Sequence, residues 1–186
     1  MKRARVLVPL AEGFEEIEAV TVVDILRRAG VEVTTAGLTE GPIKGSRGVI
    51  ITPDTALHRI MEDEFDMVVL PGGLPGTTNL RLDKRIHDIV RRIHARKGYV
   101  TAICAAPSIY AELGFLEGRK ATSHPSVAEE PHFKGVDYSD ERVVVDGHFI
   151  TSRAPGTAME FAMTLVEALA GPEMRDKVNK GVMARL

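Results

Sequence analysis

The chain has 186 residues, 44% hydrophobic and 27% charged, with 17 glycines, 10 prolines, one cysteine and no tryptophan. That balance excludes a disordered or collagen-like chain and fits one globular domain, 1–186, burying about two thirds of its unfolded surface. Twenty-four Lys and Arg against 26 Asp and Glu give a formal charge of -2, so neither sequence-specific nucleic-acid binding nor a membrane partner is expected.

The start, Met1-Lys-Arg-Ala-Arg, is basic, but the apolar run Val6 to Leu10 is interrupted by Glu12, Glu15 and Glu16, too soon for a signal core. No run reaches the ~18 apolar residues of a membrane helix. Arg5 to Leu10 reads as a buried strand, Glu15 to Ala29 as a helix closed by Gly30, and Val31 to Ala36 as a second strand, together a βαβ unit. Asp66 to Leu70 is a third buried run, followed by the turn Pro71-Gly-Gly-Leu-Pro-Gly76. A helix then runs from Asp83 to about Arg96, with Ile86, Ile89, Val90 and Ile93 on one face, and Tyr99 to Ile103 is another buried strand. Val143 to Thr151 carries the Asp-Gly pair of a tight hairpin. Thr157 and Glu160 form a capping-box pattern ahead of Phe161, Leu165, Val166 and Leu169. Gly171-Pro172 separates that helix from a last one with the stripe Met174, Val178 and Val182. This alternation predicts an α/β fold, a mainly parallel sheet covered on both faces.

In such sheets ligands bind beyond the carboxyl ends of the strands. Three groups stand there: Ala11 to Glu18, Gly72 to Gly76, and Cys104-Ala-Ala-Pro. Cys104 lies where a strand turns directly into a helix among small neighbours, the geometry of a nucleophile elbow. A helix N-terminus there is expected to bring a thiol from ~8.5 into the ~3.5 to 7.5 range. Taken alone, the position fits a small core cysteine equally well. Glu18 shares a helix row with Val22, Ile25 and Ala29. A carboxyl on that apolar row is expected to be desolvated and protonated, whereas Glu15 and Glu16 suit the ordinary role of first-turn glutamates. Gly72 and Gly73 would let main-chain N–H groups approach a developing oxyanion, or simply make a turn. His124, in Thr122-Ser-His-Pro125, is the best histidine for proton transfer and also fits a solvated loop. No metal-ligand spacing occurs, so no metal and no cofactor are expected. The lone Cys104 has no disulfide partner within the chain, which points to a reducing, cytoplasmic setting.

The segments Glu-Glu-Ile-Glu18-Ala-Val, Val-Leu-Pro-Gly-Gly73, Ala-Ile-Cys104-Ala-Ala-Pro107, Thr-Ser-His124-Pro and Thr-Ser-Arg153-Ala-Pro-Gly156-Thr together resemble the DJ-one/ThiJ/PfpI superfamily, in its Parkinson-disease protein deglycase branch. The resemblance implies a flavodoxin-like three-layer α/β/α sandwich forming a homodimer. Cys104 would be the nucleophile and Glu18 its protonated carboxyl partner, with Gly73 and Ala105 as backbone donors. His124 matches a nearby family histidine. Arg28, Arg47 and Arg153 match basic residues lining the pocket near the dimer contact, and 172–186 resembles the extra helix of this branch. Position 105 is alanine where protease-like relatives carry histidine, which argues against a Cys-His-acid peptidase. Gly45 and Thr52 stand where the disease-associated member has other cysteines, leaving Cys104 as the only redox-active thiol.

The leading expectation is a glutathione-independent glyoxalase or deglycase acting on 2-oxoaldehydes such as glyoxal and methylglyoxal, or on their early protein or nucleotide adducts. A redox sensor or stress-responsive chaperone using oxidation of Cys104 is the second reading. A cysteine peptidase is weaker, and an amidotransferase-like module is last because no His-x-Glu pair lies downstream of the cysteine.

Overall fold

A computed structural model describes residues 3–186; Met1 and Lys2 of the basic start lie outside the described residues. The strands are β1 (Arg5–Leu10), β2 (Glu32–Gly37), β3 (Ile43–Lys44), β4 (Ile50–Ile51), β5 (Thr55–Ala56), β6 (Met67–Leu70), β7 (Tyr99–Ile103), β8 (Lys120–Ala121), β9 (Asp137–Tyr138), β10 (Val143–Asp146) and β11 (Phe149–Ser152). The helices are α1 (Glu16–Arg28), α2 (Gly76–Leu82), α3 (Lys84–Ala95), α4 (Pro107–Glu112), α5 (Pro125–Ala128), α6 (Ala158–Ala170) and α7 (Pro172–Gly181). Seven strands form one sheet in the order β10-β11-β7-β6-β1-β2-β5. Every pairing in it is parallel except β10 with β11.

Strand alternation divides the interior into two cores. From β1, Leu7 faces a core shared with Leu80 of α2, Ile86, Ile89, Val90 and Ile93 of α3, and Ile109 and Tyr110 of α4. Val6, Val8 and Leu10 face the other, made with Val22, Ile25 and Leu26 of α1, Phe161, Leu165 and Val166 of α6, and Val178 of α7. Burial on both faces explains why the central strands read as unbroken apolar runs. The result is the three-layer α/β/α, flavodoxin-like arrangement.

Local differences from the sequence reading have identifiable causes. Glu15 caps α1 instead of beginning it, its carboxylate accepting from the Glu18 amide at 2.8 Å. The short helix α2 is not expected from sequence, since Gly76-Thr-Thr-Asn has little helix propensity. Anchors from distant chain hold it: Asn79 donates to the Glu12 carbonyl at 2.9 Å and Leu80 is fully buried. The hairpin has Gly147 and His148 at its tip, because Asp146 pairs with Phe149 and only Gly147 takes a positive φ, +60°. The capping box at Thr157 does not form. The Thr157 hydroxyl is used by Ser152 Oγ at 2.7 Å and by the Ala154 carbonyl at 2.9 Å, while Glu160 pairs with Arg142 at 2.6 Å.

Phe161 is fully buried between the sheet and α1. Phe161→Ala should lower the unfolding free energy by about 3–5 kcal/mol, measured by urea denaturation, with the midpoint moving and the slope unchanged.

Candidate active site

The chain leaves β7 at Ile103 and enters α4 at Pro107, and the reversal between them falls on Cys104, at φ +66°. A non-glycine residue held in this region costs on the order of 1–3 kcal/mol unless its surroundings impose it. Here they do. The Cys104 amide donates to the Ser152 carbonyl at 3.0 Å, and the Cys104 carbonyl accepts from the His124 amide at 2.7 Å. The elbow is thereby tied to the end of β11 and to the segment leading into α5.

Glu18 comes up beneath it from the first turn of α1, fully buried. Its Oε2 accepts from the Gly72 amide at 2.8 Å, and Oε1 has no nitrogen or oxygen partner among the described residues. The polar group facing the carboxyl is the Cys104 thiol. A side chain at position 72 would obstruct this approach: a Cβ there would stand 2.6 Å from the Cys104 Cβ and 2.8 Å from Glu18 Oε2. Only glycine lets the carboxyl and the sulfur meet over that turn.

Burial raises the Glu18 carboxyl from its ordinary 4.5 to about 7, opposed by the Gly72 N–H and the Cys104 thiol and assisted by the charge of Glu15. The expectation of a desolvated carboxyl on this row is met. The expectation of an intrinsically acidic thiol is not. Burial, together with a negative Glu18, pushes Cys104 up to about 12, outweighing the lowering by the Ala105 and Gly73 N–H groups. Helix α4 is too short to reverse this, with six residues and no side-chain N-cap. The two groups therefore form one unit, which gives up a first proton near neutrality and holds the second firmly.

Glu16 is buried and has a role that sequence reasoning missed. Its carboxylate accepts from the Arg47 amide at 2.6 Å, the Val49 amide at 3.2 Å and Ser46 Oγ at 3.1 Å. These donors hold its pKa below the ordinary carboxylate range despite burial. Gly45 admits the carboxylate, since a Cβ there would lie 2.5 Å from it. Glu16 thus folds the loop that brings Arg47 to the site.

A cavity of about 530 Å³ opens over the sulfur, with Arg47, Gly73, Ala105 and His124 in its wall and Leu74 at its side. His124 Nδ1 is engaged by Ser126, with Oγ at 2.8 Å and the amide at 3.2 Å. The structure does not bring all the expected residues here. The Gly72 N–H is committed to Glu18, so Gly72 positions the carboxyl and is not an oxyanion donor. Arg28 lies at the opposite end of α1, pairs with Asp24 at 2.9 Å, and borders a groove beside α7. Arg153 is outside the wall, paired with Asp140 at 3.1 Å. Among the described residues no group of three metal-ligating side chains occurs.

A parallel α/β sheet with a strained cysteine elbow over a buried carboxyl defines a class, and comparison with known proteins gives the family. Residues 4–168 match the model of the DJ-1/PfpI family, and the chain belongs to that family. It is 46% identical over 180 residues to protein dj-1beta of Drosophila melanogaster, covering 95% of each chain. The crystal structure of that protein superimposes with a TM-score of 0.94, at 43% identity over 100% of both chains. The chain is also 37% identical to a glutathione-independent glyoxalase of Caenorhabditis elegans, covering 96% of this chain and 95% of that one. To a deglycase of Pyrococcus abyssi it is 34% identical, covering 89% and 99%.

Between pH 4.5 and about 7 the folded chain keeps a Glu18 proton that the unfolded chain has released, so this group lowers stability as pH rises through that window. The displacement corresponds to about 3 kcal/mol. Glu18→Gln keeps an acceptor for Gly72 and carries no charge. It should be more stable than the parent at pH 8 by about 2–3 kcal/mol and no more stable at pH 4, as monitored by urea unfolding at the two pH values.

Proposed function

We propose that the protein is a cysteine-dependent, glutathione-independent glyoxalase or deglycase acting on glyoxal, methylglyoxal or their early adducts with proteins and nucleotides. The observation that carries this reading is a buried carboxyl, raised to about 7, set directly beneath a thiol that lines an open cavity. Transfer of the thiol proton to Glu18 gives a nucleophile without outside assistance. The names of the glyoxalase and deglycase relatives support the same chemistry.

With methylglyoxal, the Cys104 sulfur adds to the aldehyde carbon and the new oxyanion is held by the Gly73 and Ala105 N–H groups, giving a hemithioacetal once protonated. Glu18 moves the hydrogen of that carbon to the adjacent carbonyl carbon through an enediol, leaving a 2-hydroxyacyl thioester. Water then cleaves the C–S bond, releasing lactate and restoring the thiol. The sum is methylglyoxal plus water giving lactic acid. Arg47 and His124 face the substrate from the wall. With an early amine adduct, the same sulfur displaces the amine, which leaves repaired. A redox sensor or chaperone at the same sulfur is the second reading, and no separate observation favours it. A peptidase is disfavoured by Ala105 and because His124 pairs with no carboxylate among the described residues.

Purified protein without glutathione should convert methylglyoxal to lactate. Cys104→Ser should lose activity by about 10³-fold or more and Glu18→Gln by on the order of 10²-fold. The parent kcat/KM should rise with a one-proton slope through about pH 7 and then level off. Unchanged turnover in either variant would overturn the mechanism.

The reading includes a homodimer in a reducing, cytoplasmic compartment. Its support is an apolar face beside the cavity, with Ile17 56% and Ile50 64% exposed and Val20 and Val49 nearly as open. The Glu16 contacts bring the start of α1 against the loop that leads into β4. Light scattering should give twice the chain mass of 20.3 kDa, and Ile50→Lys should return the protein to monomers.

A further inference from the structure

Three of the segments that wall the cavity are distant in the chain: Gly73 and Leu74 precede α2, Cys104 and Ala105 precede α4, and His124 and Ser126 stand at the start of α5. One side chain joins all three segments just beyond the cavity. Arg81, in the last turn of α2, donates through Nη2 to Ser108 Oγ and to Glu130 Oε2, the latter at 3.2 Å. Its Nε lies 3.3 Å from Glu112 Oε2 at the end of α4, close enough for an ion pair although poorly aligned for a hydrogen bond. Ser108 is fully buried, and its hydroxyl donates to the Ala105 carbonyl at 2.6 Å. The Arg81 carbonyl is bonded by His87 Nε2 at 2.7 Å, which fixes the end of α2 itself.

We propose that Arg81 is a positioning residue for the site: through Ser108 it fixes the Ala105 carbonyl, in the peptide unit next to the one whose Ala105 N–H faces sulfur, and so restrains the turn that aims that N–H; through Glu130 it fixes the segment that presents His124. The chemistry of the side chain fits this task. The planar guanidinium directs one Nη2 to two acceptors while its charge faces a third, Glu112, a fixed arrangement that a lysine ammonium does not reproduce. Ser108 accepts from Arg81 and donates onward, so the two act in series. The Ala105 carbonyl already accepts the Ser108 amide at 3.1 Å. The added hydroxyl bond fixes the direction of that carbonyl as well as the closure of the turn. Arg81 is three quarters covered by protein, and its partners are likewise partly shielded, which preserves the strength of these charge-assisted bonds.

The proposal rests on the functional reading only for the importance of the elbow, and its primary readout requires no substrate. The pH dependence of Cys104 alkylation by iodoacetamide is to be measured in the parent, Arg81→Met, Arg81→Lys, Ser108→Ala and the Arg81→Met/Ser108→Ala double variant. Arg175→Met serves as a control, since it removes a surface ion pair with Glu167 far from the cavity. Arg81→Met and Ser108→Ala should each move the alkylation inflection to higher pH, because the Ala105 N–H that favours the anionic sulfur is no longer held on it. The double variant should move it no further than Arg81→Met alone, Arg81→Lys should not restore it, and the control should match the parent. In the methylglyoxal assay the same variants should lose kcat on the order of ten- to a hundred-fold with KM little changed. An unaltered inflection in both folded single variants, or shifts that add in the double variant, would overturn the proposal. If Arg81→Met fails to fold, Ser108→Ala alone decides it. A shifted inflection in a protein that turns over no aldehyde would sustain the clamp and sink the glyoxalase reading instead.

Discussion

The site depends on a carboxyl and a thiol that burial forces to act as a pair. Neither group is well suited to ionise there alone, since both are raised by the cost of placing charge in the interior. Together they need carry only one charge between them at neutral pH. The unit exists because Gly72 has no side chain and because its N–H fixes one carboxyl oxygen, leaving the other without a nitrogen or oxygen partner.

This arrangement has an energetic cost that the fold absorbs. Cys104 sits in a left-handed conformation, Glu18 keeps an unsatisfied buried oxygen, and a carboxyl is held well above its ordinary pKa. Two well-packed cores on either side of the parallel sheet supply the surplus. The strained residue is fixed by backbone bonds from β11 and from the approach to α5, so its orientation does not rely on side chains alone. Destabilised groups concentrated at the base of a cavity are the pattern proposed for a reactive centre, and the rest of the sheet shows ordinary close packing.

The main elements of the sheet and the two residues at the centre of the candidate site are legible in the sequence because they obey local rules. Apolar runs mark β1, β6 and β7. The place of Cys104 after a strand comes from chain order, and Glu18 betrays itself as the polar member of an apolar helical row. What is illegible depends on partners distant in the chain. Glu16 looks like a first-turn glutamate because its three donors lie about thirty residues away in a loop without periodicity. Arg28 can be placed by resemblance, but the length of α1 carries it to the opposite end of the helix. The acidity of the thiol is misjudged from sequence because helix polarity can be read from order, whereas burial and the charge of a neighbour cannot. Two-residue strands such as β3, β4 and β5 leave no pattern to read.

The Cys104 amide hangs from the carbonyl of Ser152, nearly fifty positions further along the chain, and this has a temporal consequence. While the chain is being synthesised from its N-terminus, the cysteine emerges long before the strand that braces it. Until that strand docks, the thiol lacks the frame that pairs it with Glu18 and behaves like any thiol of an unfolded peptide. The pairing is therefore acquired late, when the antiparallel ribbon closes against the parallel sheet, and a nascent or locally opened chain carries an ordinary cysteine.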